Sequence, residues 1–256
     1  MTSGGRVKIR IGCAGWSIPS RDAASFGNGA SHLQRYATRF NVVEINSSFY
    51  RPHAAGTYSR WAAAVPARFR FSAKLPKAIT HDARLKGCGT LLDRFAGEVG
   101  GLGDKLGGLL VQLPPSLAFE ARVANTFFAM LRRRFDVAIA CEPRHPSWFD
   151  ADVSTLWRRH AIARVAADPA RLPEAARPAG EGEWTYWRLH GSPRMYYDDY
   201  DEARLRNFAT DLGATKGRVA WCIFDNTAAG HAIPNALRLR QLTSTTQSAR
   251  KAPQPR

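Results

Sequence analysis

The sequence predicts an α/β fold, a (β/α)8 TIM barrel of parallel strands with an irregular sixth βα unit. Three observations lead there. Short β-branched, apolar runs alternate with stretches of helical period from Val7 to Leu242, the pattern of βα units in a parallel sheet. Eight such units fit in the 256 residues, a usual length for this barrel. Nearly every apolar run ends in a polar or ionisable residue, as expected where strand ends share one mouth. A doubly wound open sheet is the competing layout. It calls for a Gly-rich phosphate turn after the first strand, and the glycines of GCAGWS lack that spacing. One domain is expected over residues 7–242, with flexible tails at 1–6 and 243–256.

The first strand, Val7 to Cys13, alternates β-branched residues with Lys and Arg and stops at a Gly-bounded turn. His32 to Phe40 puts Leu33, Tyr36, Ala37 and Phe40 on one helical stripe, with Ser31 as cap. The second strand is VVEINSSFYRP, Val42 to Pro52. Its Glu44 and Asn46 sit two apart and share a face. A helix over Ala54–Ala64 stops at Pro66. The third strand, Phe69 to Lys74, leads to a loop over Ala78–Gly89 and a helix over Thr90–Leu102. The fourth, Gly107 to Gln112, ends at Pro114-Pro115. The helix from Phe119 to Arg134 turns Val123, Phe127, Met130 and Leu131 inward. Val137 to Glu142 is the fifth strand, and Ser154 to His160 is a short helix capped by Asp152 or Ser154. Ile162 to Ala167 is the sixth, ending at Asp168, which suits the cap of a following helix. Residues 169–183 carry no helix signal. Trp184 to His190 is the seventh strand, followed by a helix over Glu202–Leu212. Arg218 to Phe224 is the eighth, followed by a helix over Ile233–Leu242.

Lys and Arg number 37 against 21 Asp and Glu, a net charge of +16. Such a chain attracts phosphates, unless the excess is only compositional. The partners this implies are a phosphate-bearing small molecule or nucleic acid. No run approaches the roughly 20 apolar residues of a membrane helix, and the N-terminus lacks a signal-peptide core. Cys13, Cys88, Cys141 and Cys222 form no CxxC pair and suit a reducing compartment. A cytoplasmic chain with no membrane contact is expected; the oligomeric state is open.

The strand ends supply the chemistry. Glu44, Glu142 and His190 are the catalytic candidates, since carboxylates with an imidazole are the ingredients of acid–base work. Lys74, Gln112, Arg188, Asp225, Asn46 and Asn226 lie beside them at strand ends, and Tyr50, His81, Arg144, His145 and Trp148 in the loops that follow; these are the substrate-binding candidates. If His190 points inward, period two brings Arg188 with it. A buried Arg must be paired, and Glu44 and Glu142 are its natural partners. The same set leaves a divalent metal open, although no HxH or HExxH spacing occurs.

Seven motifs in order, GCAGWS, VVEINSSFYRP, FSAKLPKAITH, LLVQLPPS, CEPRHPSW, YWRLHGSP and IFDNTAAGHAIPNA, resemble the YecE-like family, domain of unknown function seventy-two. The resemblance covers residues 7–242 and implies a TIM barrel without naming a reaction. The family's shared positions fall here on Gly15, Trp16, Glu44, Asn46, Phe49, Tyr50, Lys74, Thr80, His81, Gln112, Glu142, Arg144, His145, Trp148, Arg188, His190, Gly191, Asn226 and Ala232. The chain departs at Cys13-Ala14, where Thr-Ser is usual, and at Asp225, where Asn is usual. The leading expectation is a hydrolase or lyase with an acid–base or metal-assisted site at the mouth, acting on a phosphate-bearing or polyanionic substrate. A non-catalytic nucleic-acid-binding protein and a carbohydrate-acting barrel are the alternatives.

Overall fold

The structure, a computed structural model, describes residues 7–180 and 182–249, with side chains to Ser244. Its elements are β1 (Lys8–Cys13), α1 (His32–Ala37), β2 (Val42–Ile45), α2 (Ala55–Ala63), β3 (Arg70–Lys74), α3 (Gly89–Val99), β4 (Leu106–Gln112), α4 (Ala121–Arg132), β5 (Ala138–Glu142), α5 (Val153–Arg159), β6 (Ile162–Arg164), β7 (Ala166–Asp168), β8 (Ala179–Gly180), β9 (Trp184–Leu189), α6 (Glu202–Ala214), β10 (Val219–Phe224) and α7 (Ala232–Ala249). No helix among the described residues is long and apolar enough to cross a membrane.

Strand and helix alternate, and the strands pair in parallel, giving an α/β, TIM-barrel-like fold. The hydrogen-bonding pattern differs from the single eight-stranded sheet expected. It divides into one sheet ordered β1-β10-β9-β7 and another ordered β2-β3-β4-β5-β6-β8. The expected sixth strand is broken at Val165. β6 pairs with β5, Val165 N–H still donates to Cys141 O at 2.8 Å, and β7 then pairs with β9. The two-residue β8 runs antiparallel to β6. At the other junction β1 and β2 share one bridge, Ala14 to Glu44, next to a Gly15 N–H bond to Glu44 O at 2.9 Å. Gly12 permits that approach, because a Cβ there would lie 2.2 Å from Val42 O.

Side chains from both sheets fill the space between them. Val42, Leu110, Ala140, Val165, Tyr186, Trp221 and Ile223 are buried in one cluster, with Trp184 packed against it. Gly108 leaves room for this plug: a Cβ there would meet the Trp184 indole at 3.1 Å. Outside, the helices bury a second apolar layer, each large side chain contributing about 1.5–3 kcal/mol.

Several boundaries move. On α4 the buried residues are Ala124, Phe127, Phe128 and Leu131. Val123 and Met130, expected inward, are only partly buried, because Ala124 and Phe128 turn the stripe by one residue. Ser31 caps α1 as expected, accepting from Gln34 N–H at 3.2 Å. The expected loop after β3 begins as a π-helical turn over Ala78–Asp82. Asp168 caps no helix; it binds Arg204 at 2.6 Å and accepts from Tyr200 Oη at 3.0 Å, anchoring α6. The expected tail from Thr243 is helical through Ala249. Residues 1–6 and 250–256, the remainder of the expected tails, lie outside the described residues.

Candidate functional site

Arg188 sits near the end of β9 with no exposure. Its Nε and Nη2 donate to the two oxygens of Glu44 on β2 at 3.0 and 2.7 Å. Its Nη1 reaches Glu142 Oε2 on β5 at 2.7 Å, and Nη2 also reaches Asp225 Oδ2 after β10 at 2.8 Å. One guanidinium thus ties strands of both sheets together. Burial works to lower its pKa, but Glu44, Asp225 and Glu142 outweigh burial and hold it well above the usual arginine value.

Each carboxylate is engaged further. Tyr186 Oη donates to Glu44 at 2.8 Å and shares a 2.7 Å bond with Ser72. Glu142 Oε1 accepts from Gln112 Nε2 at 3.1 Å and from Arg144 Nε and Nη2 at 3.0 and 2.9 Å. Burial would raise the Glu142 pKa, yet Arg188, Arg144 and His190 hold it well below the ordinary carboxylate range. Asp225 is lowered in the same way, Arg188 and His190 outweighing burial. His190 lies between the two, Nδ1 at 3.1 Å from Asp225 Oδ2 and Nε2 at 3.3 Å from Glu142 Oε1. The longer contact leaves Nε2 without a hydrogen bond. Burial lowers the His190 pKa, but the carboxylates outweigh it and the net shift is upward.

Lys74 closes β3 at 4% exposure. Its Nζ donates to Asn46 Oδ1 at 3.1 Å and lies 4.0 Å from the Phe49 ring centre. Burial, reinforced by Arg188, pushes its pKa down to about 8. The His81 ring stands 4.9 Å from the Phe49 ring, nearly perpendicular to it, with Nδ1 2.8 Å from Thr80 Oγ1. Its pKa is lowered by burial and then by Lys74 and Arg144. Tyr196 roofs the site: its Oη accepts from Arg144 at 3.3 Å, and its ring stands edge-on to His190 at 5.5 Å.

The fold therefore brings Glu44, Glu142, Arg188, His190, Asp225, Gln112 and Arg144 into one network, with Asn46, Lys74 and His81 beside it. Four expected binding residues lie elsewhere. Trp148 is 1% exposed, stacks on Trp157 at 5.6 Å and donates to Leu117 O, so it is a packing residue of the outer layer. His145 accepts from Ser147 N–H and holds the 3-10 turn Pro146–Phe149. Asn226 is fully buried and binds Asp198 O and Asn235. Tyr50 is 73% exposed and borders a cavity of about 210 Å³ with Phe49, Pro76, Ile79 and Phe95. The expected binding list omitted Tyr186, Ser72 and Tyr196. The first two lie two residues before Arg188 and Lys74, so strand parity would have found them; Tyr196, on a loop, carries no such signal. Among the described residues no group of three or more His, Cys, Asp or Glu is arranged to hold a metal, and the carboxylates here already share Arg188.

The family model described as "Protein of unknown function DUF72" matches residues 10–256. The chain belongs to this family. Among DUF72 relatives, the UPF0759 protein YecE of Escherichia coli K12 is 31% identical over 179 residues, 68% of this chain and 63% of that protein, so the match spans less than two thirds of that relative's length. The UPF0759 protein YunF of Bacillus subtilis 168 is 24% identical over 91% of this chain and 94% of its own. A solved DUF72 structure from Thermotoga maritima MSB8 has the same fold, with a TM-score of 0.76 at 22% identity over 93% of this chain and 99% of that one.

Proposed function

We propose that the protein is a cytoplasmic enzyme whose two sheets form one (β/α)8 barrel, closed at the Ala14–Glu44 bridge and at the change of partner at Val165. Its mouth binds a small substrate through an anionic group, a phosphate or a carboxylate. One observation carries this reading: the mouth's carboxylates are spent on Arg188 and Arg144, while donors are left over. Lys74 Nζ has three N–H groups and uses one on Asn46. Arg144, with its side chain at 15% exposure, spends Nε and Nη2 and keeps Nη1. An incoming anion meets unspent positive donors in a poorly hydrated place, where charge-assisted bonds are strong.

The roles change accordingly. Glu142, held well below the carboxylate range, carries no proton to donate near neutral pH. It and Glu44 position Arg188 and Arg144. His190 is the proton carrier, with Asp225 orienting its Nδ1 and Nε2 facing Glu142 Oε1 at 3.3 Å. The same argument weighs against a carbohydrate-acting barrel, which needs a protonated carboxyl as general acid. Burial weighs against a duplex: Lys74, Glu142 and His190 are at most 4% exposed, so the end of a small molecule reaches them and a nucleic-acid backbone does not.

Thermal unfolding with inorganic phosphate and pyrophosphate tests the reading. Ligand that binds only the folded state raises Tm with concentration. The wild type is expected to show that rise and Arg144→Gln to lose it. An unmoved wild type would overturn the proposal. So would a single-stranded oligonucleotide that binds with steep salt dependence and is not displaced by phosphate.

A further inference from the structure

Among the described residues, Lys74 is the one charged member of the network around Arg188 that makes no ion pair. Arg144 is paired with Glu142, Arg188 with three carboxylates, and His190 faces two. Lys74 instead gives one hydrogen bond to a neutral amide oxygen, Asn46 Oδ1 at 3.1 Å. Its other near neighbour is the Phe49 face. The Phe49 face and the carboxylates opposite favour the ammonium, but burial, reinforced by Arg188, disfavours the charged form and outweighs them.

We infer that Lys74 is a nucleophile that forms an imine with the carbonyl carbon of a substrate whose anionic group is held by Arg144. The inference rests on the anion-binding reading above and adds the substrate class: a small aldehyde or ketone carrying a phosphate or carboxylate. The charged groups facing Lys74 are Glu44 from β2, Glu142 from β5, Arg188 from β9 and Asp225 after β10, with His81 from the turn after β3. Their charges and the burial leave Nζ at about 8, so a useful fraction is free amine near neutral pH. The Nζ lone pair attacks the carbonyl carbon, the C=O π electrons pass to oxygen, and one proton moves from the now cationic nitrogen to that oxygen, giving a neutral carbinolamine. The second proton on nitrogen then passes to the hydroxyl, which leaves as water as C=N forms. The sum is carbonyl plus amine to imine plus water, with no oxidant or reductant. His81 packs on the same Phe49 ring as Lys74. Its lowered pKa keeps it a neutral imidazole, able to take the proton from nitrogen and return it to the leaving hydroxyl. The peptide position is fixed as well: Ser48 Oγ donates to Lys74 O at 2.7 Å, which sets the strand end against the turn carrying Phe49.

Reductive trapping tests this. The full chain is treated with glyoxylate, an aldehyde bearing a carboxylate, and sodium cyanoborohydride at about pH 7.5. Formaldehyde replaces glyoxylate in a second arm, because it needs no anion site. Adducts are located by peptide mass mapping. Lys77 and Lys86, with side chains 53% and 62% exposed, serve as controls within the same molecule. The expected result is modification of Lys74 about tenfold or more ahead of both controls, since free amine rises as pKa falls. The glyoxylate preference should shrink in Arg144→Gln while the formaldehyde reaction at Lys74 persists. Modification of Lys77 and Lys86 with Lys74 untouched in both arms would overturn the inference. If phosphate still raises Tm in that case, the anion-binding reading survives and only the imine fails; if phosphate has no effect either, both fail.

Discussion

A guanidinium with no solvent contact must find its whole polar shell in protein, and Arg188 finds it in Glu44, Glu142 and Asp225. Removing one member leaves an unbalanced buried charge, which costs far more than the intact set contributes. Glu142→Gln is expected to lower stability by about 3–5 kcal/mol, read as a shift of the urea midpoint at constant slope. A loss below about 1 kcal/mol, the range of exposed pairs, would contradict the network. His190 adds a pH dependence whose sign is set by its raised pKa. A group raised in the fold contributes stability fully below its unfolded value, about 6.5, and loses it as pH rises through the folded value. The stability gap between wild type and His190→Asn is therefore expected to be widest below pH of about 6 and to narrow through the neutral range. A gap that widens with pH would mean the carboxylates do not hold the His190 proton. At this scale period-two parity was informative. It tied His190 to Arg188, because inward residues repeat every second position, and the need to pair a buried Arg named Glu44 and Glu142 as its partners. It gave no means of separating Trp148 from a binding residue, since a loop motif looks the same whether its indole stacks on Trp157 or on a ligand.

At the scale of elements, the junction of β1 with β2 and the loop after β9 decide how the mouth is held. Gly12 lies against the Val42 carbonyl, so Gly12→Ala pushes the two strands apart at the Ala14–Glu44 bridge. The expected cost is about 1–3 kcal/mol, as for other overpacked sites, measured by chemical denaturation. Tyr196 has φ of 73°, a left-handed conformation that costs a non-glycine residue of order 1–3 kcal/mol. Its N–H bond to His190 O at 2.5 Å and the Ala228 N–H bond to its carbonyl at 3.1 Å hold it there. Tyr196→Phe keeps the ring on His190 and removes the bond from Arg144, worth about 0.5–1.5 kcal/mol net. Phosphate affinity is expected to change a few-fold with Tm nearly constant; a collapse of Tm would make Tyr196 a packing residue. Strand and helix order was legible because β-branched runs and helical stripes have distinct periods. The split of the sixth strand was not: Ile162 to Ala167 reads as one apolar run, and the change of partner at Val165 is a tertiary event.

For the whole molecule, the net charge of +16 does not describe the mouth. There Arg188, Arg144 and Lys74 face Glu44, Glu142 and Asp225, three against three before His190 is counted. The excess lies on the surface, in exposed side chains such as Arg51 and Arg122. Composition alone could not separate a basic surface from a charge-balanced interior, which is why nucleic acid stood beside a small anion as the expected partner. On the proposed function the partner is the small anion, because the unspent donors are few and almost covered. A crystal structure of the protein with inorganic phosphate tests this most directly. The account predicts an ordered anion within hydrogen-bond distance of Arg144 Nη1 and Lys74 Nζ. Phosphate bound only at exposed arginines, with the mouth empty at saturating concentration, would contradict it.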